Sequence, residues 1–136
     1  MKALWKSAIE LMKKVDNTTA WNRPEFMMGY RNPHFHFQPA RWFRGLDVAG
    51  DENDLRIEWF APVLRWLRRG VISRPEGEYA SAGFHLSIHA GEDYSHPLSG
   101  MRHIDETVRF CEMRDGDRLG HALALGIEPQ WWMARQ

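Results

Sequence analysis

Apolar residues recur at helical spacing through the first fifteen positions: Leu4, Ala8, Leu11, Met12 and Val15 stand at i, i+4, i+7, i+8 and i+11, with lysines between them. That stripe predicts an amphipathic helix over residues 1–15. Over residues 16–41 the pattern dissolves into Asn, Thr, Pro and Gly with scattered Trp21, Phe26, Tyr30, Phe35 and Phe37, which predicts a long irregular insertion. Residues 42–49 form a short apolar run, read as a strand that runs out at Gly50-Asp51-Glu52. Helical spacing returns from Ile57 to Arg69 through Phe60, Val63, Leu64 and Leu67, with Gly70 as the stop and Pro62 tolerated in a first turn. After turn-rich residues 73–83, Phe84, Leu86 and Ile88 alternate with His85, Ser87 and His89, the mark of a strand. His85 faces away from its apolar neighbours and reads as structural. Ile104, Val108 and Cys111 then mark another helix behind a polar loop over residues 90–102, and residues 117–121 make a third short strand. Strand, helix, strand, helix, strand is the rhythm of a parallel α/β sheet. The expected organisation is a single domain with its βα units in residues 42–127 and a tail at 128–136.

Composition narrows the classes. Across 136 residues, 18 Lys+Arg balance 18 Asp+Glu, so the field that draws a protein to nucleic acid or anionic lipid is missing, the local cluster Arg65, Arg68 and Arg69 apart. We expect neither nucleic acid nor membrane as a partner. No apolar stretch approaches the ~20 residues that span a bilayer, and Lys6, Glu10, Lys13 and Lys14 interrupt any signal-peptide core. The single cysteine, Cys111, excludes an intrachain disulfide and every multi-cysteine zinc pattern, and points to a reducing, cytoplasmic setting. Seven tryptophans imply bulky aromatic patches that want a covering surface.

Three clusters carry candidate chemistry: Gly45-Leu46-Asp47-Val48-Ala49-Gly50-Asp51-Glu52, His89-Ala90-Gly91-Glu92 and Arg118-Leu119-Gly120-His121. Each closes a predicted strand. Asp47 to His89 spans 42 residues and His89 to His121 spans 32, near the roughly 31 residues per unit of an eightfold barrel, where chemistry sits at the C-terminal strand ends. In order and spacing the clusters resemble the adenosine deaminase branch of the metal-dependent amidohydrolases, whose fourth, fifth and sixth barrel strands end in G-[hydrophobic]-D-L-A-G-D-E, H-A-G-E and R-I-G-H-G. The resemblance covers residues 43–127 and implies a partial TIM (β/α)8 barrel.

It also implies roles. His89 would be a ligand to a single Zn²⁺, Glu92 the acid that protonates the purine ring nitrogen, and His121 the histidine that orients and supports the attacking hydroxide. Gly91 would allow the sharp turn between ligand and acid, Gly50 would let the backbone approach the base, and Asp47 would help hold the pocket. The implied reaction is hydrolytic deamination of an adenine nucleoside or nucleotide. Read without the resemblance, His89 is a strand-end histidine on a backbone carbonyl, Glu92 a helix-start acid, Asp47 and Asp51 helix caps, and His121 a buried, satisfied histidine.

The chain also departs from the family pattern. Ala122 stands where the second glycine is usual, Leu119 replaces an isoleucine, and residues 71–82 read as an insertion. The pair His34 and His36 sits too close to Asp47 to match the first-strand metal pair and reads as part of an aromatic loop. His96 and His103 flank the expected polar loop and are candidates for substrate phosphate or ribose. The loop after His89 resembles that of large bacterial deaminase-domain proteins. No counterpart of the eighth-strand aspartate is found, so the chain reads as the middle of a larger deaminase, completed by self-association or by a complementing chain. Two other functions stay open: an inactive fragment serving as an assembly subunit, and another amidohydrolase chemistry on the same barrel.

Overall fold

The computed structural model describes residues 1–17, 19, 22–23, 42–54, 56–72 and 84–135. These fall into two compact units, Met1–Arg44 with Trp66–Phe84 and Gly45–Arg65 with His85–Gln136. The insertion expected at 16–41, with His34 and His36, lies almost wholly outside the described residues, as do residues 73–83. No helix among the described residues is long and apolar enough to cross a membrane.

In the first unit, α1 spans Lys2–Asp16, with Ala8 and Val15 buried and Lys13 and Lys14 in the last turn, where their charges favour the helix dipole. A second helix, α2, spans Ile57–Ile72 and contributes its C-terminal part to this unit. Trp5 of α1 meets Trp66 of α2 edge to face, with centroids 5.7 Å apart. The expected stop at Gly70 is corrected: α2 runs on to Ile72. A Cβ at position 70 would stand 3.0 Å from the Met12 Cε, so this glycine makes room for a neighbouring side chain and does not end the helix. Pro62 lies in the second turn and not the first, so the bond its missing N–H would donate to Glu58 is not made. Phe43 and Phe84, just ahead of the first two strands, pack with centroids 5.4 Å apart.

The second unit carries a three-stranded, fully parallel sheet among the described residues, in the order β1 (Gly45–Val48), β2 (His85–Ala90), β3 (Arg118–His121). Leu46 pairs with Leu86 and Val48 with Ile88; on the other side Ile88 pairs with Leu119 and His89 with Gly120. β1 is shorter than the expected 42–49, and Trp42 is exposed. Along β2 burial alternates. Leu86, Ile88 and Ala90 are each 1% exposed, while His85, Ser87 and His89 are half-buried. Period-two geometry therefore gives the sheet one apolar face and one polar face. The register sets Asp47, Ser87 and Arg118 in one row across the polar face.

The polar loop expected at 90–102 is shorter, because its second part is helix: α3 spans Pro97–Phe110. Pro97 occupies the first helical position, where its missing N–H costs nothing, and the His96 ring caps the start by accepting the Leu98 N–H at 3.2 Å. Ala90, Ile104 of α3 and Ala124 form a core cluster against which Tyr94, Leu119 and Ala122 pack. Ala124 lies in a 3₁₀ turn, Leu123–Gly126, and a short helix α4, Pro129–Met133, replaces the expected tail. Cys111, the residue after α3, is completely buried. His85 faces Asp117, whose carboxylate also accepts the Leu86 and Arg114 N–H groups.

The last residue of β3 and the one after it are successive non-glycine residues with left-handed backbone, His121 at φ 55° and Ala122 at φ 48°. Each such residue costs about 1–2 kcal/mol of strain. Ala122→Gly is therefore expected to stabilise the protein by about 0.5–1 kcal/mol, less than the full strain because glycine loses more chain entropy on folding. Leu86→Ala, at the centre of the apolar face, is expected to cost about 2–5 kcal/mol. Urea denaturation with an unchanged slope checks both.

Candidate active site

Parallel strands in register bring their C-terminal ends to one edge of the sheet, and residues far apart in sequence meet there. His89 comes from β2, Glu92 from the turn that follows, and His121 from the end of β3. Glu92 lies between the two imidazoles: its Oε1 is 3.1 Å from His89 Nδ1 and its Oε2 is 3.3 Å from His121 Nε2. The two rings meet edge to face with centroids 4.9 Å apart. An ionised carboxylate only accepts, so against ionised Glu92 the proton of this hydrogen bond sits on His89 Nδ1. The His89 Nε2 is 3.9 Å from Asp47 Oδ2, beyond hydrogen-bond reach.

Glycines make this packing possible. A Cβ on Gly120 would stand 2.5 Å from His89 Cδ2, so the His89 ring lies where only a bare β3 backbone fits. Gly91 has φ +77°, and a Cβ there would meet Ile104 Cδ1 at 2.5 Å. Its carbonyl accepts the Ala124 N–H at 2.9 Å, tying the turn to the 3₁₀ segment. Gly50 has φ +146° and open space where a side chain would be. Gly50 also lines a cleft of about 260 Å³, with Glu52, Ile88, His89, Arg102 and His103 among others, but Asp47, Glu92 and His121 are not part of its lining.

The geometry also gives a role to Glu52, which the sequence placed only as the last letter of a motif. Glu52 Oε2 accepts the Gly91 N–H at 2.8 Å and faces His103 Nδ1 at 2.9 Å; Oε1 accepts the N–H groups of Glu92 at 2.8 Å and Asp93 at 3.3 Å. In return the Glu52 N–H donates to Asp93 Oδ2 at 3.4 Å, and Asn53 Nδ2 to the Asp93 carbonyl at 2.8 Å. Burial would raise the Glu52 pKa, but the N–H groups of Glu92, Gly91 and Asp93, with the His103 ring, outweigh it and hold the carboxyl below its ordinary value.

All six expected residues lie in this unit, and His89, Glu92 and His121 are in mutual contact. The plain structural readings fare differently. Glu92 precedes α3 by several residues and is not a helix-start acid. Asp47 lies within β1, and Asp51 bonds Asn53 and does not cap α2. The His121 side chain is 51% exposed, so it is no buried, satisfied histidine. His96 and His103 do not flank a loop: one caps α3 and the other lies on it, bonded to Glu52.

His89, Glu92 and His121 each offer a donor atom within 4.8 Å of the others, as do Glu52, Glu92 and Asp93. In the second group the Glu52 oxygens are already taken by backbone donors, which leaves the histidine group as the better metal candidate. Comparison with protein-family models yields no match, and neither does comparison with curated proteins.

A carboxylate whose folded pKa is depressed contributes stability above its unfolded value, and that contribution is lost as pH falls through the folded value. With an ordinary value of 4.5 for Glu52, the stability difference between the wild-type chain and Glu52→Gln should be constant at neutral pH and shrink in acid below that value. Urea midpoints of the two proteins from about pH 7 to about pH 3 check this.

Proposed function

We propose that the chain is an adenosine-deaminase-like segment of a partial (β/α)8 barrel, covering its fourth to sixth strands, that takes part in hydrolytic deamination of an adenine nucleoside or nucleotide. The observation that carries this reading is the convergence of His89, Glu92 and His121 at the C-terminal ends of adjacent parallel strands, where barrel chemistry sits.

Of the His89, Glu92 and His121 group, the resemblance makes His89 alone a ligand to Zn²⁺. A metal-binding histidine normally gives its other ring N–H to a carboxylate, and His89 does this through Nδ1 to Glu92. His89 would hold the ion through Nε2, on the side facing Asp47, and further ligands would come from a second copy or a complementing chain. Bound there, Zn²⁺ supplies the Lewis acidity that makes water a nucleophile near neutral pH. Glu92 would carry the proton that is given to a purine ring nitrogen, the role the resemblance implies. In this reading His121 orients the attacking oxygen, Asp47 helps hold the base, and Gly50, with open space where a side chain would be, lets the backbone approach it.

The test is ammonia release from adenosine and from ATP by the purified 136-residue chain with added Zn²⁺. Glu92→Gln and His121→Ala should each reduce release by about 10²–10⁴-fold, and His89→Ala should abolish the Zn²⁺-dependent rise in melting temperature. His89-dependent zinc binding without ammonia release would keep the metal centre and make the isolated chain an assembly subunit. A folded chain on which Zn²⁺ has no His89-dependent effect would overturn the reading.

A further inference from the structure

The turn at residues 91–93 presents three successive backbone N–H groups toward one point, with Gly91 supplying the left-handed residue at φ +77°. Converging amides of this kind form a concave anion site, the arrangement that elsewhere receives a phosphate or a carboxylate from outside. Here a side chain of the same protein fills it. The Glu52 carboxylate, 9% exposed, meets all three amides and the His103 ring, so each of its oxygens has two partners. Glu52 also comes from the other side of the sheet edge, the turn after β1, some 40 residues away in sequence.

We propose that Glu52, backed by His103, is a positioning residue: its carboxylate is the internal anion of a three-amide nest and thereby fixes the Glu92 carboxyl between His89 and His121. The link runs through the backbone. Glu52 grips the Glu92 N–H at 2.8 Å, and the side chain of that residue spans the two imidazoles at 3.1 and 3.3 Å. Without the anion, three N–H groups would point at one another's positive ends, and the turn would relax away from the strand ends. The inference deepens the aminohydrolase reading but is tested without it, because the readouts below need neither zinc nor purine.

The first experiment follows the backbone amides of Gly91, Glu92 and Asp93 by NMR in Glu52→Ala, which empties the nest. Added sodium acetate is expected to shift all three amides saturably in this variant and not in the wild-type chain. Adding His103→Ala should weaken acetate binding. A generally destabilised protein would gain nothing from acetate. A second variant decides the matter should the first fail to fold. Glu52→Gln keeps shape but turns an NH₂ toward either the Gly91 N–H and His103 or the Glu92 and Asp93 amides, so hydrogen exchange should quicken about tenfold or more at the amides that lose their acceptor, with β2 amides unchanged. Absence of a saturable acetate shift in folded Glu52→Ala, or unchanged exchange at all three amides in Glu52→Gln, overturns the proposal.

Discussion

The parallel pairing of β2 with β1 on one side and β3 on the other is the constraint on which the rest of the second unit depends. Parallel ladders keep their strands in step, so the C-terminal ends of all three strands arrive at one edge, and the turns beyond them become neighbours. Glu52 can reach residues 91–93, and Glu92 can reach His121, only because that register holds. A shift of one residue would turn His89 to the apolar face and send Leu86, Ile88 and Ala90 to the polar one, exchanging core for solvent along the whole strand. The burial of Ile104 and Ala124 against Ala90 opposes such a slip, so the packing of α3 and the alignment of the polar cluster are two effects of one arrangement.

Much of this was legible in the sequence, because periodicity reports burial directly. The alternation around Leu86 and Ile88 gave β2, and the stripe from Leu4 to Val15 gave α1. The start of α3 is hidden by polar residues that resemble a loop, although Pro97 at a first helical position is a local signal of it. Gly70 misleads for a different reason. Glycine marks a stop only when nothing requires the space its side chain would take, and the packing of Met12 is invisible in one dimension.

The site divides along the same line. His89, Glu92 and His121 stand out in the sequence because their clusters follow predicted strands and resemble a family's ordered motifs. Glu52 and His103 were not given their roles, since their partners are backbone amides and a side chain 51 positions away, and no sequence spacing encodes such a contact. Gly120 was quoted for its motif, but its role depends on the His89 ring occupying the position of its missing side chain. Residues that act by leaving room, or by binding main chain, carry no signature of their own.

Cys111 lies just past the end of α3 and is completely shielded from water. A thiol in that position reacts with a modifying reagent only while the segment is open, so its labelling rate measures how often the end of α3 detaches from its surroundings. Because α3 also carries His103, which bonds Glu52, and Ile104, which packs with Ala90, the single cysteine gives the protein an internal clock for the motions of the scaffold behind the turn at 91–93.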